Sequence, residues 1–308
     1  IQRAIDNAGP GDTIHLAHGT YRQDLISKRA GTASQPIRIE GGQPAVIRGA
    51  GKGRIIQINH SYIQLKGFTV DGLHGDARSK SGYRDKLIFI QSPQANIPIK
   101  GISLSGLHLR NAGGECLRLR YLVQYSEIAN NAFSNCGVHD FVFNDGGKNG
   151  EAIYIGTAPE QLNDGKNPNN AVDASNNNRV HHNYMDTRGN ECVDIKEGAS
   201  GNIVEHNVCT GQRDAESAGL DARGNGNTFR YNESYGNVGA GVRLGGDAHT
   251  DGIHNHVYGN LIYENQGGAI KVQRSPQGAL CGNTMRDNVG GDSVGAYGSK
   301  YTPTAPCP

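Results

Sequence analysis

GGECLRLR (113–120), NGEAIYIG (149–156), GNECVDIK (189–196), ESAGLDAR (216–223), NVGAGVRLG (237–245) and QGGAIKVQ (266–273) are one phrase in six versions. Apolar and polar residues alternate in each, the period of a strand with one buried face. Leu117, Ile153, Val193, Leu220, Val242 and Ile270 take one inward place, and Leu119, Ile155, Ile195, Ala222, Leu244 and Val272 take the next. Between them Arg118, Tyr154, Asp194, Asp221, Arg243 and Lys271 must point outward. One step on stand Arg120, Gly156, Lys196, Arg223, Gly245 and Gln273. Stacked coils would turn these columns into one polar stripe.

A second repeat follows each phrase, a short apolar stretch around an asparagine. The asparagines are Asn131, Asn183, Asn207, Asn232, Asn260 and Asn283, and from Asn183 the steps are 24, 25, 28 and 23 residues. Periods of this size mark a solenoid. Strand-only units separated by Gly and Asn select a parallel β-helix over leucine-rich or helical repeats. An asparagine at the same turn of every coil can form an internal ladder, each amide bonding to the next.

Around this core the sequence predicts an all-β, single-domain, right-handed parallel β-helix over 1–308. IQRAIDNAG (1–9) reads as the end of an amphipathic helix stopped by Pro10 and Gly11, so 1–11 forms a cap over the first coil's open strand edges. The first strands are read in DTIHLAHGTY, PIRIEGG, AVIRG, IIQIN, IQLKGFTVDG, KLIFIQ and ISLSGLHLRN. The polar segment 157–177 carries no apolar pattern and reads as a long loop beside the stripe, either a binding lip or a tolerated insertion. Residues 290–308 read as an irregular cap tied down through Cys307.

Composition narrows the partners. With 45 glycines and no tryptophan the chain suits short strands and tight turns. A net charge of +1 gives no bulk attraction to nucleic acid or membrane, and no apolar run has the length of a membrane span. Positive charge is instead local, with Arg118, Arg120, Lys196, Arg223, Arg243, Lys271 and Arg274 on one predicted face. The opening at Ile1 reads as a processed end. Six cysteines without zinc spacing favour a secreted, extracellular, disulfide-bonded protein; pairing between sequence neighbours is one of fifteen possible connectivities. Of two glycosylation patterns, at Asn59 and Asn232, the second falls in the proposed ladder, leaving Asn59 as acceptor. His181-His182 and His254-x-His256 have no third ligand for zinc.

ECVDIKEGASGNIVEHN (191–207), LDARGNGNTFRYN (220–232) and AGVRLGG (240–246) resemble the central coils of polysaccharide lyase family 6, the family of alginate lyases and chondroitinase B. AIDNAGPGDTIHLAHGTY (4–21) resembles the amino-terminal cap of that family and of other pectate-lyase-like β-helices. The resemblance implies β-elimination on an anionic, uronic-acid polysaccharide of the alginate, glucuronan or pectate type. It makes Lys196 the base at C5, Arg223 the acid or leaving-group stabiliser, and calcium the ion that neutralises the substrate carboxylate. Two differences stand out: Gly189 replaces a second family glutamate, and GQRDAES (211–217) lengthens the loop between the Lys and Arg coils.

The residues make the same case chemically. A carbanion-like state at C5 needs positive charge beside the carboxylate, and calcium supplies it through oxygen ligands. Glu191, its one-coil-earlier equivalent Glu151, and Asp194 are the expected metal ligands. Arg118, Arg120, Tyr154, Asp221, Arg243, Lys271 and Arg274 are the expected substrate contacts, with Tyr154 stacking on a sugar ring and the arginines clamping carboxylates. A lysine base must be neutral; Arg223 favours that and Asp194 opposes it. Against this stand a plain Lys196–Asp194 surface pair and a solvated basic face. Other functions on the same fold are a hydrolase using Asp194 and Asp221, a C5 epimerase, and a non-catalytic carbohydrate-binding β-helix. The protein is expected to act as a monomer. An open stripe points to internal cleavage unless the 157–177 loop walls off one side.

Overall fold

A computed structural model describes residues 1–307. Three parallel sheets of ten strands each run the length of the chain, and each coil adds one strand to each sheet. The first sheet runs from Thr13–Leu16 to Leu280–Cys281, the second from Gly19–Tyr21 to Thr284–Arg286, and the third from Leu25–Ile26 to Ser293–Val294. A further parallel pair joins Ile99–Lys100 to Val123–Gln124.

The six phrases form successive strands of the third sheet, in the register read from the sequence. Leu117, Ile153, Val193, Leu220, Val242 and Ile270 pair coil to coil, as do Arg118, Tyr154, Asp194, Asp221, Arg243 and Lys271. The inward columns are fully buried, each large aliphatic side chain contributing about 1.5–3 kcal/mol by leaving water. Register is fixed because a one-residue slip would put the charged column into this core.

The asparagine ladder is present and continuous. The Oδ1 of Asn183 accepts from Asn131, that of Asn207 from Asn183, and so on through Asn232, Asn260 and Asn283 at 2.9–3.0 Å. Just before each ladder residue the backbone takes a left-handed turn, at Asn130, His182, His206, Tyr231, Gly259 and Gly282. A non-glycine there is strained by about 1–2 kcal/mol, and the amide bonds plus stacking of His182, His206 and Tyr231 rings at 5.0 and 5.3 Å hold it. Two further ladders went unread in the sequence. One runs Asn178–Asn202–Asn227–Asn255, the other Asn237–Asn265–Asn288.

The amino-terminal helix is the expected cap. The helix is Gln2–Asn7, ending three residues before Pro10, with Ile5 packed into the first coil. The Gln2 amide bonds both Ile26 N and Ile26 O, at 2.8 and 3.0 Å, as a neighbouring strand would. At the other end Pro303 O accepts from Asn283 N, and Cys307 bonds Cys281.

The other disulfides are Cys116–Cys136 and Cys192–Cys209, so all three join sequence neighbours. Cys192–Cys209 closes a 17-residue separation within one coil. Replacing both with alanine is expected to cost about 3 kcal/mol, read as a shift in the denaturant midpoint; an unchanged midpoint would contradict a stabilising role.

Candidate active site

Outward side chains of the third sheet line a cleft of about 340 Å³. Its floor is the middle of the stripe. Glu151 and Tyr154 come from one coil, Glu191 and Lys196 from the next, then Asp221 and Arg223, then Arg243. One rim carries Lys148, Asp214 and Ser217, and the other carries Glu160 and Gln161 from the long loop.

Lys196 is the pivot. Its Nζ lies 2.7 Å from Asp194 Oδ2 and 4.9 Å from the Tyr154 ring centre. Burial disfavours its charge, but Asp194, Tyr154 and Glu191 overcome that and hold the ammonium well above the ordinary lysine value. Arg223 donates to Glu197 Oε1 at 2.7 Å and to Asp247. Burial opposes its charge too, and the surrounding carboxylates raise it nonetheless. Arg243 Nη1 donates to Asp221 Oδ2 at 2.8 Å.

Beneath these cations is a buried acidic group. Glu151, Glu191 and Asp194 each place a carboxylate oxygen within 4.8 Å of the others. Burial and then repulsion from Glu115 and Asp194 push Glu151 up to about 7. Burial also raises Glu191 well above the ordinary carboxylate range, helped by Asp194, Glu151 and Asp221. Among the described residues Glu191 Oε2 and Asp194 Oδ1 have no partner, and Asp194 Oδ2 meets only the Lys196 ammonium, at 2.7 Å. Converging carboxylates with free oxygens on Glu191 and Asp194 are what a hard divalent cation needs. The three residues proposed from sequence therefore fit calcium. Glu115, one coil earlier, is spent: Lys86 and Arg118 neutralise it and hold it down at about 2.

The acidic group gives a thermal test with a defined sign. Glu151 is raised from 4.5 to about 7 in the folded state, so folding takes up a proton between those values. Stability on this account falls as pH rises from about 4.5 to about 7 and stays lower above it. A bound dication relieves the repulsion. Calcium is thus expected to raise the melting temperature most above pH 7 and progressively less as pH falls through it, because protons compete. Glu191→Ala should remove the shift; a calcium-independent melting temperature at every pH would refute the site.

Four expected substrate contacts fall elsewhere, and one changes character. Arg118 and Arg120 are only 3% and 2% exposed because the long loop folds down on them. Arg118 binds Glu115 and Gln161; Arg120 binds Asn167, Asp164 and Gln161 O. Lys271 stays partly exposed but outside the cleft, donating to Glu216 O. Arg274 gives its donors to the carbonyls of Asp247, Ala248 and Gln273, bracing a loop. Tyr154 keeps its place, but Arg118 and Lys196 lie over its ring, so no face is free for a sugar. The sequence reading missed Glu197, Ser217 and the loop residues Glu160 and Gln161. Glu197 was legible as the charge beside Lys196; Ser217, which bonds Glu191, carried no periodic signal. His181 pairs with Glu127 and His182 on the first sheet, away from the cleft.

No family model and no curated protein sequence matches the chain. Solved structures do. An alginate lyase from Paenibacillus sp. str. FPU-7 superposes with a TM-score of 0.74 at 23% identity, covering 95% of this chain and 96% of that one. The fold is a right-handed parallel β-helix. Pectate lyase Pel9A shares the β-helix with a TM-score of 0.64 at 14% identity, over 99% of this chain and 75% of that one. So does a lacto-N-biosidase from Eubacterium ramulus, with a TM-score of 0.57 at 13% identity, over 94% of this chain and 63% of that one. Lyases and a glycosidase thus share this β-helix, and the reaction has to be argued from the site.

Proposed function

We propose that the protein is a polysaccharide lyase that cleaves a uronic-acid polymer by β-elimination. One observation carries the reading: a single lysine stands between a tyrosine and a buried carboxylate group, with Arg223 and Arg243 on the next two coils.

In this reading Lys196 removes the C5 proton, and the C4–O bond breaks to leave a C4=C5 double bond. Arg223 and Arg243 offer forked positive charge to the substrate carboxylate and the departing oxygen. Arg223, gripped by two carboxylates and always charged, is a stabiliser rather than a proton donor. The proton for the leaving oxygen then comes from Tyr154, whose hydroxyl has no protein partner among the described residues and which burial keeps protonated. A divalent cation on Glu151, Glu191 and Asp194 would neutralise the substrate carboxylate and weaken the anionic field that keeps Lys196 protonated.

Hydrolysis fits less well. Asp194 and Asp221, on adjacent strands, are each paired with a cation, whereas a glycosidase needs one carboxyl free as acid and the other as base or nucleophile. Three disulfides accord with an oxidising, extracellular setting, and among the described residues no helix is long and apolar enough to cross a membrane.

Incubation with alginate, polymannuronate, polyguluronate, glucuronan, polygalacturonate and dermatan sulfate, followed by ultraviolet absorbance, tests the proposal. A rise on one polymer names the substrate class, alginate being the first expectation. No rise on any of them would overturn elimination.

A further inference from the structure

The polar stripe is continuous in the sequence but not on the surface. Segment 157–175 folds over the Leu117–Arg120 strand and buries both of its arginines. Gln161 accepts from Arg118 and Asn167 from Arg120, at 2.7 Å each. Further out, Gln91 donates to the loop carbonyl of Lys166. The base of the loop is fixed by Asp173, fully buried, which accepts from Tyr121 N, Leu122 N, Thr157 and Ser175 at 2.6–3.2 Å. With two buried arginines donating to the loop on one side and a satisfied buried carboxylate at its base, the loop is a wall, not a lid.

The wall stands close to Lys196. Only the Ile153–Ile155 strand separates the covered strand from Val193–Ile195. Two strand spacings are roughly 10 Å, room for one or two sugar residues. On the far side of Lys196, Arg223 and Arg243 line the cleft and Lys271 keeps partial exposure. A polymer can lie along that side but cannot pass through the other.

We propose that the protein works from a chain end and releases short products of fixed length, with Glu160 and Gln161 at the closed end of the cleft. This rests on the elimination reading above and adds its mode. It reverses the internal cleavage that an open stripe would give.

The test uses the polymer that gives the absorbance rise and follows absorbance, solution viscosity and product size together. The expected result is one or two short unsaturated products from the outset, viscosity lost only late, and a rate that grows with the number of chain ends at constant total uronate. Early collapse of viscosity while absorbance rises would overturn the closed end and leave elimination standing. No absorbance on any polymer would remove both. Replacing residues 160–166 by a short Gly-Ser link should remove the Gln161 and Asp164 cover from Arg118 and Arg120 and convert the product pattern to mixed, longer oligomers. A folded, active loop variant with the original products would also overturn the wall. The wild-type measurement decides the question even where that variant does not fold.

Discussion

Lys196→Ala is expected to lower the elimination rate by about 10²–10⁴-fold, the usual contribution of a positioned general base. KM should change much less, since Arg223 and Arg243 remain in the cleft. Alanine also strips Asp194 of its partner at 2.7 Å, and an uncompensated buried charge costs about 3–5 kcal/mol. Lys196→Arg separates the two effects. Arginine keeps the positive charge beside Asp194 but cannot give up a proton at ordinary pH. The account expects Lys196→Arg to be nearly as inactive as Lys196→Ala while unfolding closer to the wild type. Near-wild-type turnover in a folded Lys196→Arg protein would show that Lys196 acts only as a charge. Tyr154→Phe extends the series: it keeps the ring between Arg118 and Lys196 and removes only the hydroxyl, so a large loss of kcat there assigns the leaving-group proton.

Asn207→Ala is expected to destabilise the fold by about 4 kcal/mol, among the largest effects of any single substitution away from the cleft. Asn207 is 1% exposed. Its Oδ1 accepts from the N and Nδ2 of Asn183, while its Nδ2 donates to Val180 O, Glu205 O and Asn232 Oδ1. Alanine removes one rung but strands groups on both neighbouring coils, and each buried polar group left unpaired costs about 1–3 kcal/mol. Asn225, half-buried, whose side chain bonds only Thr250 O and Ile253 N and has no rung on either neighbouring coil's ladder, makes a control expected to cost less. Denaturant unfolding of the two variants gives the comparison. Equal midpoints would mean the ladder follows from the coil rather than holding it together.

The coils were legible because a parallel β-helix writes its contacts at a fixed period. Leu117 pairs with Ile153, and Arg118 with Tyr154, so a column in the sequence is a column in space. The first ladder was readable for the same reason. The two other ladders escaped because Asn178, Asn202 and Asn227 lie in Gly- and Ser-rich stretches, where asparagine reads as turn chemistry. The convergence of Glu151, Glu191 and Asp194 was legible because their positions follow directly from register. What the sequence could not give was the path of the non-repeating segment. Nothing periodic in TAPEQLNDGKNPNNAVDASNN (157–177) says that Gln161 and Asn167 fold back onto Arg118 and Arg120. Those arginines therefore read as substrate contacts when they are the loop's anchors. Arg274 misled for a similar reason, its carbonyl partners lying in the irregular turn around Asp247.

The most direct test of the central claim is the ratio of new double bonds to new reducing ends on the responsive polymer. Ultraviolet absorbance counts the first and a reducing-sugar assay counts the second in the same samples. Elimination at Lys196 predicts equal numbers throughout the reaction, with both lost together in Lys196→Ala. Reducing ends without double bonds would contradict the account and make the protein a hydrolase.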